Sequence, residues 1–433
     1  MKQKLLLMFT LLSVFVGGAK AQEPAITLTA PAVERTITIG LNAAGKVQID
    51  WGNGEKVEQE AAGAYDGWDN ALEFTGTPSG EVKIYAEGIN YLQAFTKYAA
   101  DANVITDGIT AIDLSKATTI TELDLHQNNL ATVDLSKLTA LTTLTIGVNN
   151  FETIDLSANT ELTTFDANCT ADGNLTSLDL SKNTKLSTLK ANNNKIQTID
   201  LSKNLSLKTV YLLGNGLTAV NFGENTTAKI YISLNNNKLE TLDVTALTGL
   251  STGSLLLLNN NLTEVKLPTA VKTLNVTGNK FTLASLYALT NSSTITSLTA
   301  ASMQDMVIAD AINESIDLSA QATLGTKAST IKWFLKDGTE LTEGTDYTVE
   351  NGVYTFIKAQ ADSVYATLLN TEALPKLTTA IKTTLAKVTP VVANSINTVA
   401  TGRKTGVVYN LKGQRIAAPR KGLYVMDGKL MRK

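Results

Sequence analysis

The chain has 433 residues, enough for two or three globular units. Its hydrophobic content of 43% and charged content of 18% indicate that most of it folds. Beyond Ala21 the chain carries 34 Lys and Arg against 40 Asp and Glu, and the segment 403–433 holds nine of those basic side chains against one acid. The remaining chain is therefore strongly acidic, with a net charge of about −14, which argues against a nucleic-acid-binding protein. The single cysteine, Cys169, excludes an intramolecular disulfide framework.

The amino-terminal segment Met1–Ala21 has the pattern of a secretory signal peptide. Lys2 and Lys4 give a basic start, Leu5–Gly18 is apolar, and Ala19–Ala21 is a small-x-small cleavage site. The apolar run is short for a bilayer crossing, and an uncleaved anchor helix is the alternative interpretation. We therefore predict an exported protein, secreted or at the cell surface, without a transmembrane segment after signal removal.

Residues 22–88 are predicted to form a small all-β cap domain. The segments Val33–Leu41, Lys46–Trp51 and Glu81–Tyr85 alternate apolar and polar residues with the period of half-buried strands. Asn53-Gly54 is a hairpin turn signal. A solenoid needs such a cover because its first repeat has no neighbour against which to bury its apolar side.

Residues 89–290 are predicted to be a repeat solenoid that ends in a short capping helix at residues 283–289. The pattern Leu-x-x-Leu-x-Leu-x-x-Asn-x-Leu occurs eight times after a degenerate first copy at residues 89–119. The clearest copies start at nearly even intervals, at Ile120, Leu141, Leu162, Leu186 and Leu207. A nearly constant period in the twenties with this pattern is the signature of leucine-rich repeats. We therefore expect a mainly β, right-handed solenoid with parallel strands.

Two further regularities predict how each repeat folds. The fourth and sixth residues of a copy, such as Leu123 and Leu125, should point inward from a short strand. The segment Ile-Asp-Leu-Ser, first seen at residues 112–115, recurs on the opposite side and should be extended, because the linkers are too short and Thr-rich for long helices. The asparagine at position nine should bond backbone groups of neighbouring turns. These asparagines are Asn128, Asn149, Asn194, Asn215, Asn237, Asn260 and Asn279.

Residues 300–390 are predicted to form an immunoglobulin-like β-sandwich. Several short strand patterns occur there, among them Thr330–Leu335 and Gly352–Ile357, with a Trp on an early strand and a Tyr on a late one. Asn351-Gly352 is a hairpin turn signal. The match is to the architecture only, because the inter-sheet disulfide is absent. Residues 391–433 are interpreted as a linker and a tail.

The order of a β cap, leucine-rich repeats and an immunoglobulin-like module resembles that of internalin-like surface proteins of bacteria. The ending, with VYNLKGQR at residues 408–415 and GLYV at 422–425, is similar to the C-terminal sorting region of secreted Bacteroidetes proteins. These resemblances imply a surface protein that type IX secretion exports. The tail is shorter than a full sorting domain, and a surface β-hairpin with a solvated basic face is the alternative.

Few residues could perform catalysis. His126 is the only histidine, and the next strand is predicted to offer Thr145 and Gly147 but no serine nucleophile. One His and one Cys cannot supply the usual zinc ligands, and we predict neither a metal nor a cofactor. Asp124 and Asp166 lie on predicted strands two apart, so their carboxylates should be about 9–10 Å from each other. Such a pair could indicate a glycosidase or a weak calcium site. We interpret the following set as a solvated acidic edge: Glu122, Asp124, His126 and Asp166.

The outward positions of the predicted strands contain one uneven patch. Positions three, five and seven of each copy should face outward on the concave side, and most are Thr or Asn. Five are large and apolar or aromatic, and exposed patches of this kind tend to mark binding sites. A slip of one residue near Ala228 and Gly253 would instead turn them inward. The five are Tyr211, Leu213, Tyr231, Leu256 and Leu258.

The sequence therefore favours an exported, non-enzymatic protein that mediates protein-protein or adhesive interactions through its concave face. The second hypothesis is a glycan-binding or carbohydrate-processing surface protein that uses Tyr211 and Tyr231 as stacking platforms, together with Asp124 or Asp166. The third is a structural spacer without a specific ligand. Under the first two hypotheses the partner is an extracellular protein or glycan.

Overall fold

The computed structural model describes residues 22–31, 36–60, 71–96, 108–170, 172–225, 227 and 229–389, together with backbone strands between residues 408 and 432. The predicted signal peptide and the predicted linker at residues 391–402 lie outside the described residues. The chain divides into two compact units. The first comprises Met1–Met306 and Leu369–Ile381, and the second comprises Val307–Leu368 and Lys382–Lys433.

The first unit begins with strands that are mostly antiparallel. They are β1 (Ile26–Thr29), β2 (Ile37–Asp50), β3 (Lys56–Glu60), β4 (Leu72–Gly76), β5 (Val82–Thr96) and β6 (Ala111–Asp113). β2 is one bent strand where the sequence pattern indicated two separate segments. Its register with β5 shifts around Ala44, next to Gly45, whose φ is 75°. A glycine in this conformation allows a bulge, so β2 bends without leaving its partner.

The repeats form short strands on both sides of a solenoid. In chain order the elements are β7 (Glu122–Asp124), β8 (Thr143–Thr145), β9 (Thr164–Asp166), β10 (Thr188–Lys190), β11 (Thr198–Asp200), β12 (Thr209–Tyr211), β13 (Ala219–Asn221), β14 (Tyr231–Ser233), β15 (Thr241–Asp243), β16 (Ser254–Leu256), β17 (Glu264–Lys266), β18 (Ala270–Asn275), helix α1 (Leu283–Ser292) and β19 (Thr294–Thr299).

Two kinds of strand pairing define the solenoid. Strands β7, β8, β9, β10, β12, β14, β16, β18 and β19 pair in parallel, in that order, as one sheet, which we call the concave sheet. On the opposite side β11 pairs with β13 and β15 pairs with β17. These convex pairs confirm that the second half of a repeat is extended.

Strand β5 joins the cap to the repeats within one sheet. Its first half pairs antiparallel with β1, and residues 91–93 in its second half pair parallel with β7. The predicted domain boundary between residues 88 and 89 falls within this strand. The first repeat strand, β7, therefore has backbone partners on both edges, β5 and β8.

Apolar side chains fill the space between the two sides of the solenoid. In the first repeat Leu123 and Leu125 are buried, whereas Glu122 and His126 remain partly exposed. This alternation follows from the period of a strand, and burying a large apolar side chain stabilises the fold by about 1.5–3 kcal/mol. The equivalent buried pairs are Leu144 and Ile146, Phe165 and Ala167, Leu189 and Ala191, Val210 and Leu212, Ile232 and Leu234, Leu255 and Leu257, and Leu274 and Val276.

The position-nine asparagines bond successive turns, as predicted. Asn260 donates from Nδ2 to the carbonyl of Leu234 in the preceding turn, at 2.8 Å, and to that of Leu257 at 3.2 Å. Its Oδ1 accepts the N–H of Leu239 at 3.1 Å. The amide thereby satisfies buried backbone groups that have no ladder partner where the chain leaves the strand. The pattern recurs at Asn128, Asn149, Asn194, Asn215, Asn237 and Asn279.

The residue before each of these asparagines turns the chain off the strand. In most repeats it has a left-handed backbone, with φ between 55° and 72°, and it is often Asn or Gly. Those residue types tolerate this conformation best. Val148, with φ of 56°, is the β-branched exception, so its backbone is strained.

A second series of asparagines, on the convex side, was not predicted. Asn183 donates from Nδ2 to the carbonyls of Leu156 and Asn159, at 3.1 and 2.9 Å. The Oδ1 atoms of Asn159, Asn183 and Asn204 are buried, and none has a hydrogen-bond partner among the described residues. The series could have been found from its spacing, which matches that of the repeats. Its members are Asn159, Asn183, Asn204 and Asn225.

The last turn of the solenoid is closed by a helix and by a distant segment. Helix α1 confirms the predicted capping helix. Its N-cap residue is Thr282, whose side chain accepts the N–H of Ser285 at 3.1 Å. The segment Leu369–Ile381 returns to this unit from far along the chain. In it the N–H groups of Thr378 and Thr379 donate to the carbonyl of Ala301, at 3.2 and 3.0 Å.

The second unit consists mainly of short strands. The elements that follow the solenoid are β20 (Ala311–Ile312), β21 (Ser315–Asp317), helix α2 (Ser319–Ala322), β22 (Thr323–Leu324), β23 (Lys327–Ala328), β24 (Thr330–Leu335), β25 (Tyr347–Glu350), β26 (Val353–Phe356), β27 (Val364–Leu369), β28 (Ile381–Lys382), β29 (Lys387–Val388), β30 (Val408–Tyr409), β31 (Arg415–Ile416), β32 (Leu423–Met426) and β33 (Lys429–Arg432). Leu369, the last residue of β27, and Ile381, the first of β28, belong to the first unit.

An aromatic cluster forms the core of this unit. Trp333 is fully buried, and its ring centroid lies 5.9 Å from that of Tyr354 and 5.1 Å from that of Phe356. The predicted turn at Asn351-Gly352 joins β25 to β26, with positive φ at both residues. The immunoglobulin-like assignment of this unit stays a prediction. In the tail, β31, β30, β32 and β33 pair in that order as a separate sheet.

Candidate ligand-binding surface on the concave sheet

Strand pairing fixes the register around the candidate patch. Tyr211 of β12 pairs with Ser233 of β14, which pairs with Leu256 of β16. Two residues earlier along these strands, Tyr231 pairs with Thr209 and with Ser254. The one-residue slip that we considered near residues 228 and 253 does not occur.

The five large side chains all face away from the core. Tyr211 and Tyr231 are each 36% exposed, and Leu213, Leu256 and Leu258 are half-buried. The residues between them along the strands are fully buried, as the period of two requires. We call this accessible surface on three adjacent strands the Tyr/Leu patch.

Small side chains separate the large ones within the Tyr/Leu patch. Ser233 lies between Tyr211 and Leu256 and is only 8% exposed, although it points outward. On the next outward row Asn235 lies between the patch leucines, and its Oδ1 accepts the N–H of Leu258 at 2.8 Å. An outward serine becomes this inaccessible because larger neighbours stand on both sides.

Charged side chains are divided between the two ends of the concave sheet. Positions one to seven of the repeats with β7, β8 and β9 contain three acids and no Lys or Arg. The same positions of the repeats with β12, β14, β16 and β18 contain three lysines and no acid. The acids are Glu122, Asp124 and Asp166, and the lysines are Lys208, Lys229 and Lys272. The surface is therefore acidic at one end and basic around the Tyr/Leu patch.

The sole histidine forms a small cluster at the acidic end. His126 Nδ1 lies 2.6 Å from Asp124 Oδ1, and the same oxygen accepts the backbone N–H of His126 at 3.0 Å. The other carboxylate oxygen accepts Gln93 Nε2 at 3.1 Å, and the imidazole stacks on Phe95 with centroids 5.1 Å apart. Asp124 is only 6% exposed, which corrects the interpretation of this residue as solvated. Its contacts orient the imidazole and the strand ends.

The second carboxylate of the acidic edge also has partners of its own. Asp166 Oδ2 lies 3.2 Å from Lys190 Nζ on the next strand, and Oδ1 accepts the N–H of Asn168 at 3.0 Å. Thr145 separates it from Asp124 in the register, so the two carboxylates stand two strand spacings apart. Across the described residues, no three His, Cys, Asp or Glu side chains come close enough together to hold a metal ion.

Cys169 lies near the carboxyl end of its strand, beside a small pocket. The pocket is lined by Ile146, Phe151 and Leu175, and by the amide of Asn194. Burial raises the pKa of the Cys169 thiol. Because the thiolate is the nucleophile, this environment disfavours reactivity of Cys169.

Comparison with known proteins adds little beyond the fold. No family model matches the chain, and no curated protein matches it. Similar solved structures include the functional domain of InlJ from Listeria monocytogenes, which includes a cysteine ladder, at 17% identity and a TM-score of 0.25, covering 65% of this chain and 84% of that one. Another is the leucine-rich repeat domain of APL1B, at 14% identity and a TM-score of 0.26, covering 55% of this chain and 87% of that one.

Among the described residues, the helices fall short of the length and apolar character that crossing a bilayer requires. The periodic pattern, the buried leucine pairs and the parallel strand pairing together identify the architecture. The chain is a mainly β protein with a leucine-rich repeat solenoid.

Proposed function

We propose that this protein is an exported, non-enzymatic binding protein that holds an extracellular protein through the Tyr/Leu patch. The observation that carries the proposal is the row of outward Tyr and Leu side chains on β12, β14 and β16. Large apolar side chains are costly to leave in water and are enriched at binding sites. Tyr is also among the residues that most often contribute strongly to binding at interfaces.

Several features favour a protein over a glycan as the partner. The patch contains three leucines, which offer no hydrogen bonds to sugar hydroxyls, and two tyrosines on neighbouring strands. Apolar clusters with a polar surround are the usual centres of protein interfaces. The position of the patch on a rigid parallel sheet also lowers the entropy that binding costs.

The carbohydrate-processing hypothesis depends on Asp124 and Asp166. Both carboxylates are already engaged, by His126 and Gln93 in one case and by Lys190 in the other. Changing both to Asn should leave binding at the Tyr/Leu patch unchanged. Loss of binding in that double variant would favour the carbohydrate hypothesis.

Export is part of the proposal and rests on the segment Met1–Ala21. Its basic start, apolar run and Ala-x-Ala ending are typical of a cleaved signal. The secreted chain should therefore begin at Gln22 when its amino terminus is determined by mass spectrometry. A chain that begins at Met1 in the medium, or that stays inside the cell, would contradict export by this signal.

Site-specific photo-crosslinking tests the binding function. A benzophenone side chain at Leu213 should capture a protein partner, because this position lies within the Tyr/Leu patch. The matched control is Leu205, which is 49% exposed and lies outside the concave strands. Equal capture from both positions, or capture from neither, would argue for the spacer hypothesis.

The glycan alternative is tested on an array of extracellular polysaccharides. Binding that requires Tyr211 and Tyr231, without any protein captured from Leu213, would replace the protein partner by a glycan. The folding of each variant is checked by its urea midpoint, which should equal that of the unchanged chain. Both residues are partly exposed, so their truncation should cost little stability.

A further inference from the structure

Strand β19 is the last strand of the concave sheet and has a partner on one edge only. It pairs in parallel with β18, and no other strand among the described residues pairs with it. The N–H and C=O groups along such an edge can pair with a further strand. Four of its six side chains are exposed, namely Thr294, Thr296, Ser297 and Thr299.

The other described strands of this sheet that have a single partner contain charged side chains. They are β3, β4 and β6, and their charged residues are Lys56, Glu58, Glu60, Glu73 and Asp113. Charged side chains hinder the pairing of exposed strand edges between molecules. β19 has six residues, none of them charged and none of them proline. Its edge therefore lacks the protection that the other edges have.

Two apolar side chains of β19 are incompletely buried. Ile295 pairs with Val271 and Leu298 pairs with Leu274, so each lies on the core side of the sheet. Val271 and Leu274 are fully buried, because β18 has a strand on both sides, whereas Ile295 and Leu298 are only half-buried. A further strand beside β19 would cover this apolar surface as well as pair with its backbone.

The sequence of β19 is complementary to itself in the antiparallel direction. Read in reverse, Thr-Ile-Thr-Ser-Leu-Thr keeps its order of hydroxyl and apolar residues. With Thr294 opposite Thr299 of a second copy, each Ile295 faces a Leu298 and each Thr296 faces a Ser297. Directly opposed apolar pairs and Thr/Ser pairs stabilise antiparallel strands. A two-fold axis between positions 296 and 297 generates this arrangement, and the same surface then serves both copies.

We propose that this protein forms a two-fold symmetric dimer in which the β19 strands of two copies pair antiparallel. The pairing joins the two concave sheets edge to edge and covers Ile295 and Leu298 of each copy. The dimer is closed, because each copy uses its β19 edge once. This inference does not rest on the proposed function, since β19 lies outside the Tyr/Leu patch. Under that function, the dimer presents two patches, which increases the apparent affinity for a partner with repeated sites.

Like charges placed at the two-fold axis test the pairing. The mature chain from residue 22 should sediment in analytical ultracentrifugation as a mixture of monomer and dimer that depends on concentration. Thr296→Lys with Ser297→Lys places lysines directly opposite each other in both central pairs. The dissociation constant of the dimer should rise about 10-fold or more. Both side chains are exposed in the single chain, so the fold should tolerate the changes.

Opposite charges at the same two positions should restore the dimer. In Thr296→Lys with Ser297→Glu, each introduced lysine faces an introduced glutamate, because position 296 opposes position 297 of the second copy. The dissociation constant should return to that of the unchanged chain or fall below it. A parallel pairing, or a register shifted by one residue, would instead place like charges opposite each other. Restoration is therefore specific to the proposed register.

The matched control for added charge is Thr198→Lys with Thr241→Lys. Both residues are exposed on the convex strands β11 and β15. This variant has the same net charge as the double-lysine variant of β19, and it should dimerise like the unchanged chain. The folding of every variant is checked by its urea midpoint at low protein concentration, where the monomer prevails.

Hydrogen exchange locates the interface in the unchanged chain. The amides of β19 should exchange more slowly at concentrations where the dimer prevails, while those of the convex strand β17 should not change. A chain that stays monomeric up to about 100 µM would overturn the proposal. A dimer that persists in the double-lysine variant, or one that the lysine–glutamate variant does not restore, would overturn it too. None of these results bears on the proposed function, which crosslinking from Leu213 tests separately.

Discussion

Tyr211 pairs in register with Ser233, so a large outward side chain stands directly beside one of the smallest on the concave sheet. Both residues occupy the same position of successive repeats. In a repeat fold, where most positions keep their character from turn to turn, such a contrast is local and does not serve the core. Ser233, which lies between Tyr211 and Leu256, is therefore only 8% exposed although it points outward.

Replacing Val148 should stabilise the solenoid. Val148 has a left-handed backbone with φ of 56°, which a β-branched residue adopts at a cost. Val148→Asn supplies the residue type found there in three other repeats and should raise the free energy of unfolding by about 1 kcal/mol. Urea unfolding of the full chain measures the change. Val148→Ala, which keeps the strained conformation, should give a smaller gain, and a loss of stability in Val148→Asn would contradict the assigned backbone.

The two asparagine series should differ in what they contribute to stability. Asn237 uses both ends of its amide, because Nδ2 donates to the carbonyl of Leu212 at 2.9 Å and Oδ1 accepts the N–H of Leu217 at 3.0 Å. Asn204 donates from Nδ2 to the carbonyl of Leu180 at 3.0 Å, whereas its Oδ1 is buried without a partner among the described residues. Unpartnered buried acceptors offset part of what the donated bonds contribute.

Leucine substitutions measure this difference. Asn237→Leu should destabilise the chain by about 2–4 kcal/mol, because one buried N–H and two carbonyls lose their hydrogen-bond partner. Asn204→Leu should cost less than about 1 kcal/mol, because an earlier repeat already carries Leu138 at the equivalent position. Equal losses of the two variants in urea unfolding would show that the unpartnered Oδ1 of Asn204 has no energetic consequence.

The stability of the solenoid end should depend on a segment far along the chain. Leu377, in the returning segment Leu369–Ile381, is only 1% exposed. Leu377→Ala should lower the free energy of unfolding by about 2–4 kcal/mol and increase hydrogen exchange in strand β19. Leu385→Ala, at a leucine that is 43% exposed, is the control and should change neither quantity. Unchanged exchange in β19 after Leu377→Ala would mean that the segment does not support the last turn.

The convex carboxylates should make the solenoid acid-sensitive. The hydroxyl and N–H of Ser157 donate to Asp155 and hold its pKa below the ordinary value, and the N–H and hydroxyl of Ser181 do the same for Asp179. With a lowered pKa in the folded state, the unfolded chain binds more protons as the pH falls below about 4. The contribution of these residues to stability is therefore present above that pH and is lost as the pH falls through the folded pKa.

Neutral substitutions should weaken this acid sensitivity. In Asp155→Asn with Asp179→Asn, the amide oxygens can still accept the turn hydrogen bonds, but the groups no longer titrate. The decrease in urea midpoint between pH 7 and about pH 3 should be smaller than in the unchanged chain. The control double variant, Glu240→Gln with Glu264→Gln, removes the same charge outside such turns. If both double variants reduce the acid-induced decrease in urea midpoint equally, the acid sensitivity comes from net charge and not from the turn hydrogen bonds.

The sequence predicted the parts of the molecule that repeat. A strand alternates its side chains with a period of two, so the inward leucines, the position-nine asparagines and the outward Tyr/Leu patch could all be located by counting from Leu207. The convex asparagines, such as Asn183, carried an equally regular signal that we did not use. The convex asparagines recur at the same interval as the repeats, so each one is buried at the same place in its turn.

Other features depend on contacts that no local pattern encodes. The continuity of β5 with β7 requires one strand to change partners halfway, and its sequence alternates in the same way throughout. The return of Leu369–Ile381 to the solenoid depends on long-range packing. The burial of Asp124 comes from Gln93 on the preceding strand and from His126, two residues later. The position of Asp124 in the sequence does not reveal these contacts.

The affinity of the captured partner for Tyr211→Ala with Tyr231→Ala tests the central claim most directly. The mature chain is used, with Leu205→Ala as the control for loss of exposed apolar surface and with the urea midpoint as the measure of folding. The account predicts a loss of about 100-fold in the tyrosine variant, as expected for two interface anchors, and no change in the control. A folded tyrosine variant that binds within about 2-fold of the unchanged chain would contradict it.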